Sequence, residues 1–166
     1  MMIAKLSEAE IDQYFSEHLP YRTRIMLAHY RMTRPAMTEG HAWLEPCFEA
    51  SVITGRLYLN VLGVFKDDNG KLYRRKNYRN DDVTAEDLGG KFVDLANLPV
   101  ADETLFVNFI TMADKASAHL TTPRKHTWED THEAIGRICH YLKSHLYDAT
   151  GRRSLDLESH LATIET

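Results

Sequence analysis

The sequence predicts an all-α fold: an antiparallel bundle of three to four long helices with short accessory helices and one long loop, forming a single domain over 1–166. Three observations predict it. Apolar residues recur at helical spacing in several long stretches. Capping signals bracket those stretches, and no convincing run alternates apolar and polar residues as a half-buried strand would. Short connections at most helix ends favour antiparallel neighbours, and the long loop before Pro99 is the exception.

Ser7-Glu8-Ala9-Glu10 has the S-x-x-E spacing of a capping box and predicts a first short helix reaching about Glu17. Pro20 lacks an N–H and suits the first turn of a new helix, so a second segment is expected from Pro20 to about Thr33, ended by Arg34-Pro35. Thr38 to Phe65 carries Leu44, Phe48, Val52, Gly55, Leu59 and Leu62 on one side, with a break or restart allowed at Pro46. Glu45, Glu49, Arg56 and Asn60 form a polar stripe on the same helix. Lys66 to Asn80 is polar, and its Asp-Asn-Gly sequence favours a tight turn, so it reads as a hairpin-like excursion or a mobile loop.

Thr84 caps one short turn that Gly89-Gly90 stops, and Asn97-Leu98-Pro99 leads into the central helix. That helix, Asp102 to Thr122, places Leu105, Phe109, Met112, Ala116 and Leu120 on one face, with Asp114 directed away and His119 on the shoulder of the apolar stripe. Thr127 then starts a last long helix, acidic in its first turn, with an apolar stripe through Ile135, Ile138, Leu142 and Leu146 and a stop at Gly151. Leu155 to Ile164 is a final short helix or a frayed tail.

With 166 residues the chain is long enough to bury a core without staples. A net charge of -4 argues against broad, nonspecific nucleic-acid binding while leaving room for a local basic site. The two cysteines, Cys47 and Cys139, sit in apolar helical patterns and read as small buried hydrophobes, which suits a reducing, cytoplasmic setting. No export signal and no membrane span are expected, because the most apolar run, Val52 to Phe65, is interrupted by Arg56 and Asn60.

Nine histidines invite a metal reading, but no H-x-x-x-H or H-E-x-x-H occurs, and His140 and His145 are separated by about 140° of helix. His132 and Glu133 face different ways. No metal and no cofactor are expected from the spacing, although histidines of different helices can still meet inside a bundle. Neither a nucleophile elbow nor a glycine-rich phosphate loop is present.

Ala118-His119-Leu120-Thr121, at the end of the third long helix and before a capped fourth, resembles the corresponding part of HEPN domains (higher eukaryotes and prokaryotes nucleotide-binding). Phe48-Glu49-Ala50 through Arg56-Leu57-Tyr58-Leu59, followed by Asp81 to Asp87, is similar to a group of bacterial HEPN-like proteins. The resemblance implies a helical, often dimeric protein, commonly a metal-independent ribonuclease built on an arginine and a histidine four to six residues apart. His119 falls on the motif histidine. In the common spacing the arginine would fall at Asp114, and no arginine lies between Leu105 and Thr122, which weakens the expectation of nuclease activity. Lys115 supplies charge there without a guanidinium fork. A second arginine–histidine spacing, Arg24 to His29, lies in a different helix.

Metal-free RNA cleavage needs an acid or base near neutral pKa and cations for the phosphate. The resemblance makes His119 a catalytic candidate, and that chemical requirement adds Lys115 as the second, Arg124 and Lys125 for binding substrate, and Glu49 and Arg56 for binding it and orienting the histidine. The expected function is a HEPN-like homodimer that binds RNA or a nucleotide in a defence or toxin–antitoxin setting. Two alternatives stand beside it: a noncatalytic protein-interaction module with a protein partner, and a helical bundle with a small-molecule or metal site.

Overall fold

The computed structural model describes residues 6–33, 44–79, 81–118 and 128–164. The fold is mostly helical, and the only sheet among the described residues is a two-stranded antiparallel hairpin. Helix α1 (Glu8–Gln13) begins at the expected capping box: the Ser7 N–H donates to Glu10 Oε2 at 2.7 Å, and the Ser7 side chain accepts from the Glu10 N–H. The chain does not break at Pro20. A π-helical turn, Tyr14–His18, joins α1 to α2 (Leu19–Met26), with the Leu19 N–H donating to the Tyr14 carbonyl. The wider turn lets a residue without an N–H follow without ending the helix. A turn at Leu27 then leads into α3 (Ala28–Thr33).

Helix α4 is described over Leu44–Val61, the expected start at Thr38 lying outside the described residues, and it is not broken at Pro46, which lies in the first turn of the described helix. Its C-terminal end corrects the expectation that it runs to Phe65. Gly63 takes φ 79°, its N–H donates to the Asn60 carbonyl, and the Val64 N–H donates to the Leu59 carbonyl. This is a Schellman stop, and a non-glycine residue there would be strained. Phe65 is instead in β1 (Phe65–Lys66), paired with β2 (Leu72–Tyr73) in the register Phe65 to Tyr73 and Lys66 to Leu72. The hairpin reading of this segment is therefore the correct one, with Asp67 Oδ1 accepting the Asn69 and Lys71 N–H groups across the turn. Two-residue strands are too short to show a period of two, so the pattern left them invisible.

The connection that follows is tied to its neighbours. The Ala85 N–H donates to the Val61 carbonyl, the Val93 N–H to the Leu62 carbonyl, and the Lys91 N–H to the His145 carbonyl. Thr84 and Asp87 cap the expected short turn reciprocally, and a 3-10 turn at Leu95–Asn97 leads into α5 (Val100–Ala118). The buried face of α5 is centred on Phe106, Phe109, Ile110 and Ala113. Leu105 is only half-buried, so the stripe is rotated from the expected one. Asp102 was not expected inside, yet it is buried and receives the Tyr141 hydroxyl at 2.8 Å and the Arg137 guanidinium at 3.1 Å.

Helix α6 (Trp128–Leu142) continues through a second π-helical turn, Lys143–Tyr147, into α7 (Asp148–Thr150), and Gly151 at φ 67° closes it as predicted. Helix α8 (Leu155–Ile164) is docked and not frayed, burying Leu157, His160 and Leu161. The core joins α2, α4, α5 and α6. Gly55 permits a close approach of α4 and α5: a Cβ there would lie 2.6 Å from Phe109 Cζ and 3.5 Å from Ile138 Cδ1. Among the described residues no helix is long and apolar enough to cross a membrane.

Candidate functional site

A cleft of about 590 Å³ opens where the π turn and α2 face the outer flank of α4 and the segment after the hairpin. Each wall brings a cation. The α2 side contributes Arg22 with His18, α4 contributes Arg56, and the segment after β2 contributes Arg75. Tyr14, Tyr58, Phe65 and Tyr78 supply rings, and Asp81 and Asp82 add carboxylates to the lining.

Local structure explains each placement. Tyr58 points inward from α4 and anchors α2 by donating to the Leu19 carbonyl at 2.7 Å while its oxygen lies 2.8 Å from the Thr23 hydroxyl oxygen. Burial pushes its hydroxyl above the ordinary tyrosine range, so it is a neutral structural group. Arg75 lies over the Phe65 ring with its guanidinium carbon 4.7 Å from the centroid, and its Nη1 is 4.0 Å from Asp82. Tyr78 stacks on Phe92 at 6.0 Å between centroids, and burial raises its pKa against the opposing effect of Arg74 and Arg75. Arg74 is held elsewhere, donating to the Val93 carbonyl at 2.6 Å. Arg22 lines the cleft with its guanidinium carbon 6.0 Å from the centroid of the exposed Tyr21 ring.

Of the residues selected from sequence, Arg56 is in this cleft wall. Its guanidinium meets Asp114 of α5 at 2.7 Å, with Lys66 Nζ 3.8 Å from the same carboxylate. Asp114 therefore does not stand away from the packed elements: it ties α4 and the hairpin to α5. Glu49 is exposed on α4, about two turns nearer its N-terminus, and is not part of the cleft wall. Lys115 is exposed beside Asp114. His119, Arg124 and Lys125 lie outside the described residues. The Arg24 to His29 spacing brings no pair together, because His29 is fully buried whereas Arg24 lies at the surface near Asp156.

Histidines of different helices do meet. His29 Nδ1 and His132 Nε2 are 3.0 Å apart, and Tyr30 and His160 complete a ring cluster in which His29 and His160 are buried and Tyr30 and His132 half-buried. Among the described residues no group of three or more histidine, cysteine, aspartate or glutamate side chains is arranged to hold a metal ion.

Sequence reasoning missed Arg22, Arg75 and Tyr78. A signal was present in Leu72-Tyr73-Arg74-Arg75-Lys76-Asn77-Tyr78-Arg79, where aromatic and basic residues interleave as they do in nucleic-acid-binding segments. Chemically, the arrangement offers guanidinium groups to an anion, ring faces to a planar group and carboxylates to hydroxyl or amino donors. Comparison with protein-family models, with curated proteins and with solved structures gives no match for this chain.

Proposed function

We propose that the protein is a HEPN-like, antiparallel helical bundle, acting as a cytoplasmic homodimer, that binds RNA or a nucleotide in the cleft between α2, α4 and the post-hairpin segment. The observation that carries the reading is the convergence of Arg22, Arg56 and Arg75 from three separate elements on one aromatic-lined cleft. A phosphate would take the guanidinium groups, and a base would lie against the tyrosine and phenylalanine rings. The cleft volume of about 590 Å³ is in the range of small-ligand sites, which favours one nucleotide or one splayed-out base of an RNA strand. The acidic net charge fits a local site better than a broad basic track.

The HEPN resemblance gains a spatial argument. Asp114 occupies the position of the motif arginine, and the Arg56 guanidinium reaches that same position from α4. A guanidinium thus stands beside the part of α5 that leads to His119, with Lys115 next to it. Nuclease action through His119 and Lys115, with Arg124 and Lys125 holding substrate, is the catalytic form of the proposal.

Binding is tested by titrating fluorescent nucleoside monophosphates and short single-stranded RNAs into purified protein at low and physiological salt. Arg22→Ala is expected to weaken binding by roughly tenfold, as loss of one charged hydrogen bond would. Unchanged affinity in Arg22→Ala and Arg75→Ala would remove the cleft from the proposal. RNA degradation in EDTA, lost in folded His119→Ala, is the expected signature of the nuclease.

A protein-interaction reading is favoured by Ile53 and Leu57, which stand 46% and 36% exposed at one edge of the cleft. A stable copurifying protein released by Ile53→Asp, together with absent nucleotide binding, would select it.

A further inference from the structure

A second constellation lies apart from the cleft. Phe48 of α4, His29 of α3, His132 of α6, Tyr30 of α3 and His160 of α8 form a continuous series of ring contacts, with successive centroids 4.6 to 5.1 Å apart. At its centre, His29 Nδ1 and His132 Nε2 share a hydrogen bond of 3.0 Å, which requires at least one neutral ring, since two imidazolium rings would present donors to each other. At its end, His160 is 4% exposed, and its Nε2 is buried with no hydrogen-bond partner among the described residues.

The charged groups around the cluster make a second positive charge unwelcome. Arg31 on α3 and His140 on α6 both act on His160. From α4 the series is faced by the Phe48 ring and by the Ser51 hydroxyl, which accepts the His29 backbone N–H. On α6, Glu129 favours a charged His132, and buried Cys139 stays a neutral thiol. On α8, Asp156 is committed to Arg31 at 2.9 Å and lies 3.9 Å from Arg24. Burial is the leading cause that lowers the pKa of His29 and His160 to about 4 and that lowers His132.

Helix α8 is the element most exposed to a change at this cluster. It buries only Leu157, His160 and Leu161, so one of its three anchoring side chains is titratable. Helix α3, by contrast, is joined to α2 through the fully buried Leu27, and α6 carries Ile135, Ile138 and Leu142 into the main core.

We propose that this histidine cluster is an acid-sensitive clasp: uncharged rings dock α8 on α3 and α6 at neutral pH, and protonation on acidification releases α8 while the rest of the core holds. The histidines gain protons more readily when released than when docked, so the docked state is favoured above about pH 6.5 and weakens as pH falls toward 4. Release would uncover the seats of Leu157 and Leu161, leaving an apolar surface that exists only in acid.

Amide hydrogen exchange by mass spectrometry on the full chain, at pH 7.5 and 5.0 and corrected for intrinsic rates, tests this. The expected result is a rise of tenfold or more in exchange over 155–164 with α5 unchanged, and loss of that rise in His160→Phe. Equal loss of protection in α5 and α8, no change in α8, or an α8 rise that persists in His160→Phe would each overturn the proposal. Should His160→Phe fail to fold, ring nitrogen-15 shifts of the wild-type chain decide. Protonation of His160 in step with α8 exchange supports the clasp, whereas protonation with α8 still protected, or release with the ring neutral, overturns it.

Discussion

Tyr58 shows how one side chain positions the cleft. Its hydroxyl is the meeting point of the Leu19 carbonyl and the Thr23 hydroxyl, and all three residues are buried. Tyr58→Phe keeps the ring but strands two buried polar groups, so a loss of about 1–3 kcal/mol is expected in urea unfolding at neutral pH. Asp102 plays a comparable part at the start of α5, joined to Tyr141 and Arg137 of α6. Burial and the adjacent Asp102 carboxylate together push the Tyr141 hydroxyl up to about 12, so it keeps its proton and donates it to Asp102. Neither Tyr58 nor Asp102 was legible as a bonded pair in the sequence, because their partners lie 35 to 39 positions away.

Among the elements, the contact between α4 and α5 sets how far apart the cleft wall and the Asp114 anchor stand. Gly55 admits the Phe109 ring, which has no room to retreat because it is itself buried against the core. Gly55→Val is expected to destabilise the protein by roughly 1–3 kcal/mol by overpacking, read as a lower urea midpoint with unchanged slope. Element existence was largely legible here: the Ser7 capping box, the Thr84 turn, the stop at Gly151 and the amphipathic α4, α5 and α6 all follow from local residues. The continuous path through Pro20 was not legible, because a π turn has no sequence period of its own. The end of α4 was misread for a different reason. The apolar pattern continues past Gly63 into the buried Val64 and Phe65, so periodicity outran the stop signal.

At the scale of the whole molecule, His29, His132 and His160 make stability depend on pH in a defined window. Their folded-state pKa values are lowered, so the unfolded chain binds more protons and stability falls as pH drops from about 6.5 toward 4. Each ring contributes up to about 1.4 kcal/mol per pH unit within that window, and two or more rings titrating together should give a slope of roughly 2–4 kcal/mol per pH unit near pH 5. Urea unfolding at a series of pH values reads this slope directly. A flat profile between pH 7 and 5 would show that these rings are not neutral and buried in solution. The acidic groups Glu10, Asp94 and Glu158 act in the same direction but at lower pH, because hydrogen bonds to their ionised forms hold their pKa values below the carboxylate range.

The sequence by itself determined the helices, their caps and most of their buried faces, because those depend on side chains three or four residues apart and on backbone groups satisfied within a turn. Only the tertiary structure decided that Arg22, Arg56 and Arg75 share a cleft, that Asp114 binds Arg56, and that His29 meets His132 across 103 positions of chain. Those pairings depend on how far each helix is rotated and on the close approach at Gly55, which are set by packing of the whole core and leave no periodic trace in the residues concerned.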